Sequence, residues 1–415
     1  YMYQFSKLSN GIRIVSEQIP YLKSVCVGVW VKNAVELENE LGYAHFIEHM
    51  LFKGTENKNA AEIALSIDEI GGQMNAFTSK ECTCFYTKTM DRHLETAVSV
   101  LGDIINHSLF SKENIETEKN VVLEEIQMYE DSPDELVHDL AVEKSFSGDP
   151  YGMPILGTRQ TIENLDRDSL LRYKDRCYCG SNIVIAAAGN FSQKELTSLL
   201  EQYFGELAPG DSVGEAISAA QFHAGSIVRE KEIGQTHLVL SVEGYPLGSE
   251  ELYSLAVINN IFGSGMSSRL FQEIREKNGL AYSVFAYPTS HKRGGLFSIY
   301  AGTSPKSASL VVDKIVSEME RIYQEGLTDE ELKRGKTQLA AGYVLSGEAA
   351  SSKMNHIGKS ELLLGRILTE QESLSRIEKV DQASVRRVLD KVFHNDQWNL
   401  SVVGKIEPDL KDKLL

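Results

Sequence analysis

Alternating and fully apolar runs, separated by amphipathic stretches, predict strands and helices along the whole chain. Residues 11–16 and 24–32 are predicted to be strands, and in the second of them every other residue is valine. Two short alternating runs at residues 74–78 and 83–89 predict a hairpin or two adjacent strands. Apolar residues three and four positions apart between residues 94 and 105 predict an amphipathic helix.

One predicted helix, in the sequence His-x-x-Glu-His, carries side chains of the metal-binding type. His45, Glu48 and His49 are three and four positions apart, so they project from one helical face. Two imidazoles one turn apart can bind one cation, and the glutamate then lies beside the position of a bound water. The alternative is that both histidines are ordinary helix residues, but the chain holds only ten histidines among 415 residues.

A catalytic zinc usually has three protein ligands and a water, so a third ligand is expected, and residues 111–130 supply the candidates. Glu125 has apolar or aromatic residues at its helical neighbours, where an ionised carboxylate is costly unless it is paired or bound to metal. Glu124 has a mixed surface around it, so the pattern favours Glu125 as the ligand. Glu118, two turns earlier on the same face, suits the role of holding the other nitrogen of a ligating histidine, with a buried ion pair as the alternative.

The chain also contains an internal duplication. Residues 162–166 (IENLD) recur as residues 377–381 (IEKVD), and at the same offset of 215 Gly189 recurs as Gly404. A single shift that aligns helix, strand and turn predicts two similar halves. We expect a join within residues 208–225, and therefore domains at residues 1–210 and 211–415.

Only the first half is expected to hold a metal. Under the offset of 215, the three candidate ligands correspond to Asn260, Ser264 and Ala340, and His-x-x-Glu-His does not occur in the second half. We therefore expect one metal site per chain.

Composition limits the classes of partner and compartment. The net charge is −17, which disfavours nucleic acid and favours cationic ligands, including basic peptides. No apolar run is long enough for a membrane span, and no secretion signal is expected. The odd number of cysteines, five, indicates a reducing compartment, and we expect the cytoplasm. The pairs Cys82/Cys84 and Cys177/Cys179 are better explained as strand or loop residues than as metal ligands.

Residues 42–55 and residues 263–288 together resemble the pitrilysin and mitochondrial-processing-peptidase family of zinc peptidases, the inverzincins, and in particular a bacterial processing protease. Gly263-x-Gly265 is not a nucleotide loop, because the third glycine and the P-loop lysine are absent. The resemblance implies an α+β fold of two duplicated domains, each a mostly antiparallel sheet covered by helices. It also places the third ligand in a Glu-x6-Glu pattern that fits Glu118 and Glu125.

The resemblance further implies how a substrate is held. In the family, an arginine and a tyrosine seven residues apart reach a substrate at the zinc of a facing half, and Arg275 and Tyr282 fit that spacing. Asn75, Ala76 and Phe77 lie where the family binds an extended peptide by main-chain hydrogen bonds, and Phe77 is expected to line a subsite, with an ordinary sheet position as the alternative. Four half-units enclose a chamber in the family, so a homodimer is expected here, with a heterodimer as the alternative.

The sequence therefore predicts a zinc-dependent endopeptidase for short or unfolded peptides, with one Zn²⁺ per chain and Glu48 as the general base. Two other hypotheses remain. One is a non-catalytic assembly subunit, which is disfavoured because every element of the motif is present. The other is a non-peptidase hydrolase or lyase, such as the ribosylhomocysteine-cleaving enzyme with the same motif, which is disfavoured because that enzyme is a single short domain.

Overall fold

The computed structural model describes residues 3–214, 218–394 and 396–414. Strands are, in chain order, β1 (Gln4–Lys7), β2 (Arg13–Gln18), β3 (Ser24–Lys32), β4 (Gln73–Thr78), β5 (Cys82–Met90), β6 (Ile183–Gly189), β7 (Gly225–Glu230), β8 (Thr236–Glu243), β9 (Ala281–His291), β10 (Gly294–Thr303) and β11 (Asn399–Gly404). Helices are α1 (Tyr43–Met50), α2 (Ala60–Asp68), α3 (Leu94–His107), α4 (Lys112–Glu130), α5 (Pro133–Ser145), α6 (Arg159–Glu163), α7 (Arg167–Cys177), α8 (Gln193–Phe204), α9 (Glu251–Phe262), α10 (Ala308–Glu325), α11 (Asp329–Ser346), α12 (Ala350–Leu364), α13 (Glu370–Glu378), α14 (Gln382–Val388) and α15 (Pro408–Lys411).

The described residues form two compact units, each built around one sheet. Unit 1 holds the residues up to 126, residues 154–214 and residues 346–369, and the remainder forms unit 2. The strand order is β1-β2-β6-β3-β5-β4 in unit 1 and β7-β11-β8-β10-β9 in unit 2. Apart from β1 the two orders correspond strand for strand, and β2/β6 and β7/β11 are the parallel pairs in otherwise antiparallel sheets. The predicted fold class, two similar α+β domains with mostly antiparallel sheets, is therefore confirmed.

The duplicated sequence segments form equivalent local structures. Gly189 ends β6 and Gly404 ends β11, both with φ in the left-handed region, at 132° and 137°. The Asp166 carboxylate accepts a hydrogen bond from the backbone N–H of Ser169 at the start of α7. Residues Asp381 and Ser384 make the same contact at the start of α14. The offset of 215 therefore relates positions with the same backbone role.

Both faces of the unit 1 sheet are covered, which explains why β3 is apolar almost throughout. One face packs against the core that includes α1 and α3. The other lies under α12, where the Trp30 indole Nε1–H donates to Met354 Sδ at 3.3 Å. A Cβ atom on Gly358 would lie 2.2 Å from Trp30 Nε1, so only glycine allows this close approach of helix and sheet.

In unit 2, α5 has the place that α12 has in unit 1. It covers β8 and β11, and the Asn399 side chain on β11 donates to Ala141 O and Ser145 Oγ on the helix, at 3.2 Å and 3.0 Å. The range 1–210 thus contains one helix of unit 2, and the range 211–415 contains one helix of unit 1. The boundary between 210 and 211 stays a prediction, and residues 215–217 of the predicted join lie outside the described residues.

Among the described residues, every helix falls short of the length or the apolar character that crossing a lipid bilayer requires.

Candidate metal centre

The helix α1 is fixed at its N-terminus by a half-buried carboxylate and a close glycine contact. Glu36 Oε2 accepts the N–H of Gly42 at 3.0 Å, and its Oε1 accepts the N–H of Ala44 at 2.9 Å. Burial raises the pKa of Glu36 to about 7, although these two donors act in the opposite direction. Gly42 has φ = 90°, and a Cβ there would lie 2.6 Å from Leu156 O. These contacts set the direction in which α1 leaves the preceding loop.

Three side chains from α1 and α4 converge. His45 Nε2 and His49 Nε2 are 3.2 Å apart, and Glu125 Oε2 lies 3.6 Å from the former and 3.5 Å from the latter. Three ligand atoms of a tetrahedral zinc with bonds of about 2.0–2.1 Å lie ~3.4 Å from one another. The donor set and its spacing therefore fit a zinc ion. Glu124 on the same helix is exposed.

Electrostatics at this cluster favour a single positive charge, which His49 carries when no metal is bound. Burial and the neighbouring His49 lower the pKa of His45 to about 4. Burial also opposes charge on His49, but the carboxylates of Glu118 and Glu125 outweigh burial and raise its pKa to about 9. A metal cation at the three atoms would supply that positive charge in place of the proton. The assignment of the three residues as zinc ligands stays a prediction.

Glu118 and Lys53 hold the far side of His49. Glu118 Oε1 lies 2.9 Å from His49 Nδ1, and its Oε2 lies 2.9 Å from Lys53 Nζ. Burial alone would raise the pKa of Glu118, but the hydrogen bonds from His49 and Lys53 lower it. An ionised Glu118 that accepts Nδ1–H fixes the tautomer in which Nε2 of His49 is free to bind a metal. The predicted alternatives for Glu118, a histidine partner and an ion pair, are both present.

Glu48 projects from α1 toward strand β4. Its Oε2 accepts a 2.5 Å hydrogen bond from the hydroxyl of Thr78, the last residue of β4. Burial raises the pKa of Glu48, against the effect of the Thr78 hydrogen bond and the nearby His49. A half-buried carboxylate with a raised pKa, one residue before a metal-binding histidine, is suited to accept a proton from water.

Asn75, Ala76 and Phe77 lie on β4, which is one of the two edge strands of the unit 1 sheet, the other being β1. The backbone N–H of Ala76 donates to the Asn75 side-chain oxygen at 2.8 Å, so a peptide that paired there would have to displace the Asn75 side chain. The Phe77 ring packs edge-on against Trp30 with centroids 5.5 Å apart, on the opposite sheet face from Thr78. The expectation that Phe77 lines a subsite stays a prediction.

Arg275 and Tyr282 lie together in unit 2. Arg275 is part of a π-helix at Phe271–Lys277, and its guanidinium carbon lies 4.8 Å from the Phe271 ring centroid and 4.7 Å from that of Tyr282. Tyr282, on β9, is 76% exposed. Stacking between two rings presents the planar donors of Arg275 in a restricted orientation. Contact of either residue with a substrate stays a prediction.

Sequence reasoning missed three residues that orient the cluster: Glu36, Lys53 and Thr78. Lys53 follows the motif by four positions, and Thr78 falls on the same alternating face of β4 as Ala76, so both had a weak local signal. Nothing in the local pattern distinguished Glu36. The cysteine pairs that were considered are not part of a metal cluster among the described residues, and burial raises the pKa of Cys82 and that of Cys84.

Comparison with known proteins gives consistent matches over almost the whole chain. Residues 13–159 match a family described as "Insulinase (Peptidase family M16)", and residues 164–339 match one described as "Peptidase M16 inactive domain". A protein of Bacillus subtilis (strain 168) named "Uncharacterized zinc protease YmxG" is 42% identical, with 93% of this chain and 95% of that protein covered. An "Uncharacterized zinc protease" of Streptomyces coelicolor, SCO5738, is 37% identical, with coverage of 98% and 89%. These relatives support a metallopeptidase that uses zinc.

Two solved structures have the same fold. A protease from Helicobacter pylori superimposes with a TM-score of 0.89 at 21% identity, covering 97% of this chain and 99% of that chain. A peptidase M16 inactive domain from Pseudomonas fluorescens superimposes with a TM-score of 0.91 at 18% identity, covering 98% of each.

Proposed function

This chain belongs to peptidase family M16, and from that premise we propose that it is a zinc-dependent endopeptidase that cleaves short or unfolded peptides. The observation that carries the proposal is the short separation of His45, His49 and Glu125 on two helices. Glu48 shares α1 with the two histidines and faces the edge strand β4.

Each residue is assigned one role. His45, His49 and Glu125 would hold one zinc ion per chain, which when bound acidifies a water and polarises the scissile carbonyl. Glu48 would take a proton from the attacking water and later give it to the leaving amine. Glu118 keeps His49 in the orientation and tautomer that a metal requires.

The substrate is proposed to bind as an added strand on β4, held by main-chain hydrogen bonds at Asn75, Ala76 and Phe77. The position of β4 at the sheet edge supports this assignment. An extended peptide is required for such pairing, which limits the substrates to short or unfolded chains. The net charge of −17 favours basic peptides among these.

We further propose a homodimer, in which each zinc faces Arg275 and Tyr282 of the second copy. Tyr282 would donate to the oxyanion formed when water adds to the carbonyl, and Arg275 would bind a substrate carbonyl. The exposure of Tyr282 and the stacked arrangement of Arg275 support these roles. The cytoplasm is the proposed compartment, which the five free, buried cysteines support.

The test is the Glu48→Gln variant, which removes the base and keeps the shape of the side chain. Zinc content measured by atomic emission should equal that of the wild type, while new peptide termini from a mixed library, read by mass spectrometry, should disappear. The matched control is Glu124→Gln, at an exposed position on α4, which should cleave like the wild type. Cleavage by Glu48→Gln at the wild-type rate, or a zinc-loaded wild type that yields no new termini, would refute the proposal.

A further inference from the structure

Thr78 is in direct hydrogen-bond contact with the proposed general base. Its Oγ1 lies 2.5 Å from Glu48 Oε2, which is the short distance expected for a hydroxyl donating to a carboxylate. Thr78 ends β4, and Glu48 lies on α1, so the contact joins the edge strand to the helix that carries both histidines. It lies wholly within unit 1.

The Thr78 hydroxyl has two neighbouring oxygen atoms to which it could donate, one on Glu48 and one on Thr83. The Thr83 hydroxyl lies 3.3 Å from Thr78 Oγ1, but it donates to Asn33 Oδ1 at the shorter distance of 3.0 Å. Asn33 is itself oriented, because its Nδ2 donates to Ser79 O at 3.1 Å. Thr83 has one hydroxyl proton and commits it to Asn33, so towards Thr78 its oxygen can only accept. An ionised Glu48 carboxylate can also only accept, and at 2.5 Å against 3.3 Å it is the closer acceptor for the Thr78 proton.

Because Thr78 lies on β4, its hydrogen bond connects Glu48 to the strand that is proposed to bind the peptide. Met74, Ala76 and Thr78 alternate with more exposed residues, and the first two pack against the core beside α1. The other side of β4 is the free sheet edge. A peptide that pairs with β4 therefore binds to the same short strand that supplies the donor to Glu48.

We infer that Thr78 is a positioning residue, which fixes the Glu48 carboxylate and ties its orientation to the strand that binds the peptide. The inference rests on the proposed function of this site. A carboxylate turns easily about its last torsion angle, so a donor fixed on Oε2 restricts the plane and leaves Oε1 to receive the proton from water. Small errors in the position of a catalytic group are costly in rate, and the loss of this donor should therefore reduce turnover more than binding.

The experiment compares Thr78→Val, which removes the hydroxyl and keeps the shape, with Thr78→Ser, which keeps the hydroxyl. The matched control is Thr87→Val, since Thr87 is buried on the neighbouring strand β5 and its hydroxyl has no partner among the described residues. We expect kcat of Thr78→Val to fall by about 10–100-fold with KM changed by less than ~2-fold, because misplacement of the base affects the chemical step. Thr78→Ser should recover most of kcat, Thr87→Val should match the wild type, and all three should retain wild-type zinc content.

Two kinetic outcomes would overturn the inference. One is an active wild type whose Thr78→Val variant has an unchanged kcat. The other is a Thr78→Ser variant as slow as Thr78→Val, which would assign the effect to the methyl group or to misfolding. A thermal-melting cycle of Thr78→Val and Glu48→Ala tests the contact without any turnover: the shift from Thr78→Val should shrink when Glu48 is absent, and an additive result would also overturn the inference. A wild type that cleaves nothing would instead refute the proposed function.

Discussion

His49 Nδ1 lies 2.9 Å from Glu118 Oε1, so the nitrogen that faces away from the candidate metal position is held by a carboxylate. Lys53, at 2.9 Å from the other oxygen of that carboxylate, keeps it ionised. The histidine is thus oriented through a chain of charged contacts that leads from a lysine to the metal position. This arrangement predicts that metal affinity depends on residues that do not themselves bind the metal.

Replacing Glu118 by alanine should weaken zinc binding by about 10–100-fold, because His49 then loses the partner that fixes its tautomer and ring plane. Lys53→Met should weaken zinc binding less than Glu118→Ala, because Glu118 still accepts a hydrogen bond from His49. The dissociation constant can be measured by competition with a chromogenic chelator. Glu124→Gln is the control, and equal affinities in all three proteins would contradict the prediction.

Mixing two inactive variants should restore activity if each site is completed by a second copy. Glu48→Gln and Tyr282→Phe homodimers, allowed to exchange subunits, form heterodimers in which one of two sites has both intact residues. About a quarter of the wild-type activity should therefore return at equal mixing. Glu48→Gln mixed with His49→Ala, where both defects lie in the same half, should stay inactive. If neither mixture recovers activity although native mass measurement shows that dimers form, Tyr282 does not contribute to the site of the second copy.

Removing the Asp149 carboxylate should lower the free energy of unfolding at neutral pH. It should also make that free energy less dependent on pH in the acid range. Burial alone would raise the pKa of Asp149, but its hydrogen bonds to Arg293, the shortest at 2.6 Å, and to the Tyr151 N–H lower it below 3.8. The stabilisation by this pair is therefore fully present above pH 3.8 and is lost as the pH falls through the lower folded-state pKa.

Urea unfolding should show that Asp149→Asn loses about 1–3 kcal/mol at pH 7 and that the difference from the wild type narrows at lower pH. Asp412→Asn, at an exposed position, should leave the unfolding free energy unchanged at both pH values. A difference that stays constant with pH would show that the ion pair is not its source.

Two glycine-to-alanine changes should have opposite effects on stability. Gly358→Ala would place a methyl group 2.2 Å from Trp30 Nε1, and relief of that clash should cost about 1–3 kcal/mol. Gly342, in α11, has open space around the same position, so Gly342→Ala should gain up to about 1 kcal/mol from helix propensity. Thermal melting of both variants tests the pair, and a stabilised Gly358→Ala would show that α12 can move away from the sheet.

Much of the local structure could be predicted from the sequence, because it depends on neighbours within a few residues. The Asn59 and Glu62 side chains, three positions apart in the typical capping-box spacing, form such a box at the start of α2, and the alternating runs form the adjacent strands β4 and β5. The apolar surroundings of Glu125 selected the carboxylate that lies beside the two histidines.

The contacts that could not be predicted join residues that are distant in sequence. Thr78 and Glu48 are 30 positions apart, so periodicity within one element holds no information about this pair. The pattern does predict that Glu118 contacts a ligating histidine, but not which one; the partner is His49, 69 positions away. The same reason applies to the contact of α12 with the sheet, because Met354 on this helix and its partner Trp30 are 324 positions apart. Which helix covers a sheet is decided by tertiary packing, and two similar halves offer two similar candidates.

Each half of the sequence contributes one helix, α5 or α12, to the unit formed mainly by the other half, and this has a consequence for a chain that has been cut by a protease. A protease acting after residue 210 would leave each fragment with one helix that belongs to the other unit. The amino-terminal piece would lack the cover over Trp30, and the carboxy-terminal piece would lack the helix that accepts hydrogen bonds from Asn399. The two pieces should therefore remain associated after cleavage and come apart only when both sheets unfold.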